Sequence, residues 1–329
     1  MYAIALHGAG GPEVMHWEEV PDPQPGPGQV LIDVVAAAVN RADVMQRRGF
    51  YPPPPGASDI PGLECSGVIA ELGPGVTGWS VGDRVCALLS GGGYAEKVAV
   101  AATQLMPIPD GVDLPVAASL PEVTCTVWSN LVMGSGLRAG QLLLIHGGAS
   151  GIGTHGIQLA RARGAKVAVT AGSQYKLDAC RDLGAQLLIN YREDDFVEAV
   201  RNFDGHSGAD IILDNMGAAY LDRNVDALAA DGQLVIIGMQ GGASGELALN
   251  KLLGKRGTIR ATSLRGRPET GRSSKAEIVA DVVEHVWPLI ADGSIAPVVY
   301  AEVPITQVGK AHEMLDSPET IGKVVLRVR

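Results

Sequence analysis

The sequence predicts an α/β chain of two domains, one of them a parallel β-sheet with helices on both faces. Three observations carry this. Beyond Asp110, short apolar strands alternate with helices of roughly ten residues, the rhythm of repeated βαβ units. Before Asp110 the text is β-rich, broken by turns and without a sustained helical period. Aromatic residues make up only 4% of the 329, against 46% hydrophobic residues in all, so the core is built from Val, Leu, Ile and Ala, as covered parallel sheets are. The length suits two cores better than one, and the 43 glycines announce many tight turns and close backbone approaches.

In chain order, Gln29–Val35 and Ser66–Leu72 read as strands, with Gly73-Pro74-Gly75 and Val81-Gly82-Asp83 as turns. A short helix is expected near Asn40–Arg48, and Pro52–Pro55 is a stiff extended loop. Leu114–Met133 holds one helix or two. Alternation then begins: strand Leu142–His146, helix Ile152–Arg163 closed by Gly164, strand Val167–Thr170, helix Gln174–Leu183 closed by Gly184. It continues through Leu187–Asn190, Asp194–Phe203, Ile211–Asp214, Tyr220–Ala229 and Leu234–Ile237, with Gly257–Ser263 as a sixth strand. A helix near Ala276–Ala291 and strands at Pro297–Tyr300 and Lys323–Val328 return to the first domain. That domain is then discontinuous, 1–120 and 264–329, around a second domain of 121–263.

The formal charge of −10, with no compensating Lys/Arg run, argues against nucleic acid and anionic membranes as partners. No basic-then-apolar leader and no membrane-length apolar run is visible, and Cys65, Cys86, Cys125 and Cys180 form no C-x-x-C pair. A cytoplasmic protein with buried reduced thiols is expected.

His146 to Gly156 (HGGASGIGTHG) lies where the first strand of the alternating region turns into its first helix. Glycines there let the backbone approach a pyrophosphate, and the helix N-terminus offers unpaired N–H groups and a favourable dipole. Gly151-x-Gly153-x-x-Gly156 matches G-x-G-x-x-G literally. The register Gly148-x-Ser150-x-x-Gly153 starts nearer the strand and is preferred, with Ser150 available to hydrogen-bond a ligand. The second strand ends in Thr170-Ala171-Gly172-Ser173-Gln174-Tyr175-Lys176, without the acid that holds the ribose 2′-hydroxyl of NAD. Ser173 and Lys176, joined by Tyr191, suit a 2′-phosphate, which favours NADPH. Lys176 also reads as an ordinary solvated helix residue.

With these motifs in place the chain resembles, over nearly its whole length, the quinone oxidoreductase branch of the medium-chain dehydrogenase/reductase superfamily. The resemblance rests on Gly62-Leu63-Glu64-Cys65-Ser66-Gly67-Val68, Val81-Gly82-Asp83-Arg84-Val85, the His146–Gly153 turn and Ile321-Gly322-Lys323-Val324-Val325-Leu326. Asn40–Arg47, Tyr51–Gly56 and Thr170–Gln174 are similar to the p53-inducible quinone oxidoreductase group. The resemblance implies a GroES-like catalytic domain, a Rossmann cofactor domain, a cleft between them, and homodimers joined through edge strands.

It also implies the site. Asn40 and Asp43 would orient nicotinamide or acceptor, and Tyr51 would bond or stack on a substrate, unless it only steadies the proline loop. Thr126 resembles a threonine near nicotinamide, and Ser150, Gly151, Ile152 and Gly153 would hold pyrophosphate. Asn215, Gly238, Met239 and Gln240 would line the cofactor cleft. Ser263, Leu264 and Arg265, with Lys323, would close over it, although Arg265 and Lys323 read equally as solvated charges. The seven histidines do not cluster; His146 reads as structural, and His155 as a packing or surface residue.

Zinc-using relatives hold their metal with a Cys at the position of Asn40 and a His at that of Leu63. Glu64 alone cannot replace them, and the four-cysteine structural lobe is missing, so no metal is expected. Without a Lewis acid to stabilise an alkoxide, the suitable substrates are conjugated acceptors, such as quinones and α,β-unsaturated carbonyls. The expected activity is NADPH-dependent reduction of a quinone. Alternatives are enoyl or alkenal double-bond reduction, and a non-catalytic cofactor-binding relative, crystallin-like or RNA-binding.

Overall fold

The computed structural model describes all of residues 1–329. The chain opens with strands β1 (Tyr2–Leu6), β2 (Met15–Glu19) and β3 (Gln29–Ala38), then helix α1 (Arg41–Arg47). Strands β4 (Glu64–Leu72), β5 (Arg84–Leu88), β6 (Lys97–Ala101) and β7 (Leu105–Pro107) follow, with the short helices α2 (Leu114–Ala117) and α3 (Pro121–Val127). Strict alternation starts at β8 (Leu142–His146) and runs through α4 (Gly151–Ala162), β9 (Lys166–Ala171), α5 (Gln174–Leu183), β10 (Leu187–Asn190) and α6 (Phe196–Arg201). It continues with β11 (Ala209–Asp214), α7 (Leu221–Ala227), β12 (Leu228–Ile236), α8 (Leu249–Lys255) and β13 (Thr258–Ala261). The chain ends with α9 (Lys275–His285), α10 (Trp287–Ala291), β14 (Val299–Pro304), α11 (Val308–Asp316) and β15 (Lys323–Arg327).

Two compact units result. One comprises Met1–Cys125, Leu264–Gly293 and Pro297–Arg329; the other comprises Thr126–Ser263 with Ser294–Ala296. The first is organised by a mixed sheet in the order β14-β15-β3-β4-β5-β7, with β6 also pairing β3. All its pairings are antiparallel except β14 with β15. Val30, Ile32, Val34, Cys65, Ile69, Val85 and Val98 alternate inward from these strands to form its principal core.

The second unit is a six-stranded, wholly parallel sheet in the order β10-β9-β8-β11-β12-β13. Numbered within the unit, that is 3-2-1-4-5-6, the order of dinucleotide-binding sheets. The strand order reverses between β8 and β11, and ligands of such sheets bind at the carboxyl ends of strands at this reversal. Leu142, Leu144, Ala168, Ile189, Ile212 and Leu234 are fully enclosed, packed with Phe196 and Val200 of α6.

Differences from the expected elements have local causes. Leu114–Met133 divides because Pro121 lacks the N–H that would continue α2, and the segment ends as a π-helix over Trp128–Gly134. The helix expected over Ala276–Ala291 divides at Val286, just ahead of Pro288. The helix expected over Tyr220–Ala229 stops at Ala227, because Leu228 already pairs with Ala209 in the sheet. No helix of the chain is long and apolar enough to cross a membrane, and all four cysteines are free and buried.

Candidate functional site

The turn after β8 is shaped by what glycine omits. A Cβ at Gly153 would collide with the carbonyl oxygen of Gly148, and one at Gly148 would lie 2.6 Å from Cβ of Val169. The turn therefore packs backbone against backbone and against β9. Ser150 is the N-cap of α4, and its Oγ accepts from Gly153 N–H at 3.0 Å. Its own hydroxyl proton and the N–H groups of Gly151 and Ile152, in the first turn of a 12-residue helix, remain for an anion.

Side chains brace this turn from below. Gly147 and Gly148 both donate to the Thr170 carbonyl, at 3.1 and 3.0 Å. His146 Nε2 lies 2.7 Å from Asn224 Oδ1, and its Nδ1 lies 3.1 Å from Thr170 Oγ1. An Nε2–H tautomer satisfies both: it donates to Asn224 while the Thr170 hydroxyl donates to Nδ1. Burial pushes the His146 pKa down to about 4, so the ring is neutral. His146 is thus structural, as its strand-end position implies. Beyond β11, Asn215 lies against Gly147, and its carbonyl accepts from Gln240 N–H at 3.1 Å. The Asn215 Oδ1 is buried and without a partner, an acceptor held ready beside the turn.

At the end of β9, Ser173 caps α5 and accepts from Lys176 N–H at 3.4 Å. The Tyr191 hydroxyl occupies the space that a Cβ on Gly172 would need, which draws Tyr191 to this corner. Burial holds the half-buried Lys176 ammonium below its ordinary pKa; Cys180 opposes this, and the cation of Arg192 adds to it. No carboxylate pairs with either Lys176 or Arg192. Two cations, a serine and a tyrosine without an acid are donors of a kind that suits an anion. Arg192 escaped the sequence reading, although it directly follows Tyr191.

In the other unit, a buried polar cluster joins elements far apart in sequence. Lys323, on β15, places Nζ 2.6 Å from Glu64 Oε1 and 2.6 Å from Asn40 Oδ1. Asn40 Nδ2 donates to Glu64 Oε1 at 2.9 Å, and Glu122 N–H donates to Glu64 Oε2 at 2.9 Å. Asn40 caps α1 in a reciprocal box with Asp43. Asp43 is fully enclosed: it accepts from Asn40 N–H at 2.8 Å, Gly62 N–H at 3.0 Å and the Tyr94 hydroxyl at 3.2 Å. Burial raises its pKa to about 6 against these bonds. Asp43 thus has both carboxylate oxygens engaged within the fold, and one of them fixes the Asn40 backbone. Glu122, beside Glu64, is pushed up to about 8 by burial first and by the Glu64 charge second.

The solvated readings of Lys323 and Arg265 are corrected, since both are buried. Arg265 donates to Ser90 O at 2.8 Å, Gln46 Oε1 at 2.8 Å and Tyr51 O at 3.2 Å, and its guanidinium lies over the Tyr51 ring. It is a brace for the proline loop and for Tyr51. Leu264 is buried, whereas Ser263, Met239 and Gln240 are exposed. The Thr126 carbonyl accepts from Asn130 Nδ2 at 2.8 Å and Ser129 Oγ at 3.3 Å within the π-helical bend.

Comparison with known proteins agrees with both units. Residues 26–110 match the alcohol dehydrogenase GroES-like domain, and residues 151–280 match the zinc-binding dehydrogenase family. The rat quinone oxidoreductase is 31% identical over 99% of this chain and 97% of its own length. This chain belongs to the quinone oxidoreductase-like medium-chain dehydrogenases/reductases. Another member, a 2-haloacrylate reductase from Burkholderia, is also 31% identical, over 98% of both chains. The Escherichia coli quinone oxidoreductase complexed with NADPH superposes with a TM-score of 0.89 at 29% identity, covering 99% of this chain and all of that one. A mycobacterial protein complexed with NADPH gives 0.90 at 30% identity, with 99% and 100% covered.

Membership in this family sharpens the meaning of the Lys323 cluster. Where zinc-using relatives place Cys and His donors, this member has Asn40 and Leu63. No group of three or more His, Cys, Asp or Glu side chains is arranged to hold a metal ion. Glu64, the one acidic donor there, is already neutralised by an ammonium. Glu122 and Tyr94 were missed because their partners, Glu64 and Asp43, are far away in sequence.

Proposed function

We propose that the protein is a zinc-independent, NADPH-dependent reductase of quinones and related conjugated carbonyl compounds, close in kind to the p53-inducible quinone oxidoreductase group. The unit built on the parallel sheet binds the cofactor, and the discontinuous unit supplies the groups that meet the acceptor. One observation carries the reading of the reaction: Glu64 is consumed by Lys323, and Asn40 and Leu63 replace the other metal donors. Such a site cannot stabilise an alkoxide through zinc, so it suits acceptors whose own conjugation disperses incoming electrons.

The cofactor reading rests on fit. The Gly147–Gly153 turn, Ser150 and the first turn of α4 suit a pyrophosphate, the partnerless Asn215 Oδ1 suits a nearby donor, and Ser173, Lys176, Tyr191 and Arg192 suit a 2′-phosphate. NADPH, when bound, supplies the hydride. The chain's own residues then bind, orient and exclude water. Asn40, fixed by Asp43 and Lys323, orients nicotinamide or acceptor; Tyr51, pinned by Arg265, offers a ring and a hydroxyl to the acceptor.

Likeness to a 2-haloacrylate reductase favours conjugated C=C reduction as a second reading. Steady-state rates with benzoquinone, naphthoquinone and enones, each with NADPH and NADH, test both. Faster turnover of enones would replace the quinone reading by the second, and equal use of NADH would remove the cofactor preference. Homodimer formation is supported by the exposed Leu249 and Leu253 of α8, next to the edge strand β13. A monomeric sedimentation coefficient would refute it.

A further inference from the structure

The Lys323 ammonium has three N–H donors. Asn40 Oδ1 and Glu64 Oε1 take two of them. Glu64 has no exposed side-chain surface, while Lys323 retains 6% of its own, and its neighbour Asn40 is only half-buried. The carboxylate is thus wholly enclosed, while the lysine side chain keeps a small accessible surface. Its partners hold the ammonium rigidly: Glu64 is itself fixed by Glu122 N–H and Asn40 Nδ2, and Asn40 by the capping box with Asp43. A fixed, poorly solvated donor with one hydrogen uncommitted is what a developing oxyanion requires.

We infer that Lys323 is a catalytic residue, whose third N–H donates a hydrogen bond to the acceptor's carbonyl oxygen as charge develops there. This rests on the acceptor reading above. In the step, hydride adds to the conjugated acceptor and its electron pair is displaced onto the carbonyl oxygen. The resulting hydroquinone or enol(ate) oxyanion is held by Lys323, which stays protonated, and the final proton comes from water. A cation supplied by the protein thereby does the electrostatic work that zinc does in metal-using relatives.

The test compares wild type with Lys323→Met. Removal of one preorganised donor lowers kcat about 10²- to 10³-fold. The loss should be steepest for weakly electrophilic enones and shallowest for strongly oxidising quinones, because the weak acceptors depend most on outside stabilisation. NADPH affinity, measured by fluorescence titration, should change by less than the loss in kcat. A second readout needs no turnover: p-nitrophenol bound to wild type should show a phenol pKa lowered by about 1–3 units in its visible absorbance, and Lys323→Met should abolish that shift.

Equal losses across all acceptors, or an unshifted phenol in wild type, would overturn the inference. If wild type reduces none of the acceptors, the function reading fails, and the phenol titration alone decides on Lys323. Should the single variant fail to fold because Glu64 is left buried and unpaired, Glu64→Gln/Lys323→Met removes both charges and is judged by the same results.

Discussion

Replacing Lys176 by alanine removes one charged donor from a corner with no acid to be left stranded. The Lys176 backbone N–H keeps its bond to Ser173 Oγ, and no salt bridge is broken. The fold should therefore be nearly indifferent. A hydrogen bond to a charged group contributes about 1.5–3 kcal/mol, so losing the Lys176–phosphate contact should raise the NADPH constant by about 10- to 150-fold. Arg192, alongside, stays in place and sets the effect toward the lower end. NADH carries no phosphate at that position, so its constant should hardly move. Initial rates at saturating acceptor, with both nucleotides at two ionic strengths, give the assay, and wild type should lose NADPH preference as salt rises. Equal changes for the two nucleotides would refute the phosphate assignment and return Lys176 to an ordinary helix residue.

Tyr51→Phe should slow acceptor reduction about tenfold if its hydroxyl bonds the substrate; an unchanged rate in steady-state assays would leave Tyr51 as packing for the proline loop. Gly153→Ala drives a Cβ into the Gly148 carbonyl, so NADPH binding by fluorescence should be lost, and retained affinity would contradict the tight turn. Glu122, pushed up to about 8 from an ordinary 4.5, keeps in the folded state a proton that the unfolded chain releases. Its contribution to stability therefore falls as pH rises from about 4.5 to 8. Urea midpoints measured at about pH 6 and pH 9 should drop more in wild type than in Glu122→Gln. His146 and His155, pushed down to about 4 by burial, lose stability in the opposite direction, as pH falls below 6.5, and do so equally in both proteins.

The parallel unit was legible because its signals are local. Strand Leu187–Asn190 and helix Gln174–Leu183, closed by Gly184 at φ 112°, stand where their residues predicted, since apolar period and a left-handed glycine cap act within a few residues. The helix Leu249–Lys255 was illegible: Leu249 and Leu253 are both exposed and Leu252 alone of its leucines packs on the core, too little to impose a period. The site divides in the same way. Ser150 and Ser173 are N-caps, readable from the residues that follow them. Lys323 could be read only as cation or cofactor contact, because its partners are 283 and 259 residues away. Asp43 was placed beside the nicotinamide and acceptor through the family resemblance, which says nothing of what else its oxygens bond. Only Gly62, Tyr94 and the cap show that its oxygens are already engaged.

The Lys323–Glu64 pair is poor material for stability. Removing two charges from water costs several kcal/mol per ion, and apolar residues of similar volume often serve a fold as well. Its consequence is orientational. With an ammonium on one side and a carboxylate on the other, Asn40 can present only Oδ1 to Lys323 and only Nδ2 to Glu64. A neutral pair would leave both amide orientations open. The carboxylate comes from β4, the amide from the cap of α1, the ammonium from the last strand and the bracing N–H from the start of α3. The cluster therefore exists only when β15, the last strand of the chain, has joined β3. Folding of the discontinuous unit and assembly of its reactive charge are the same event.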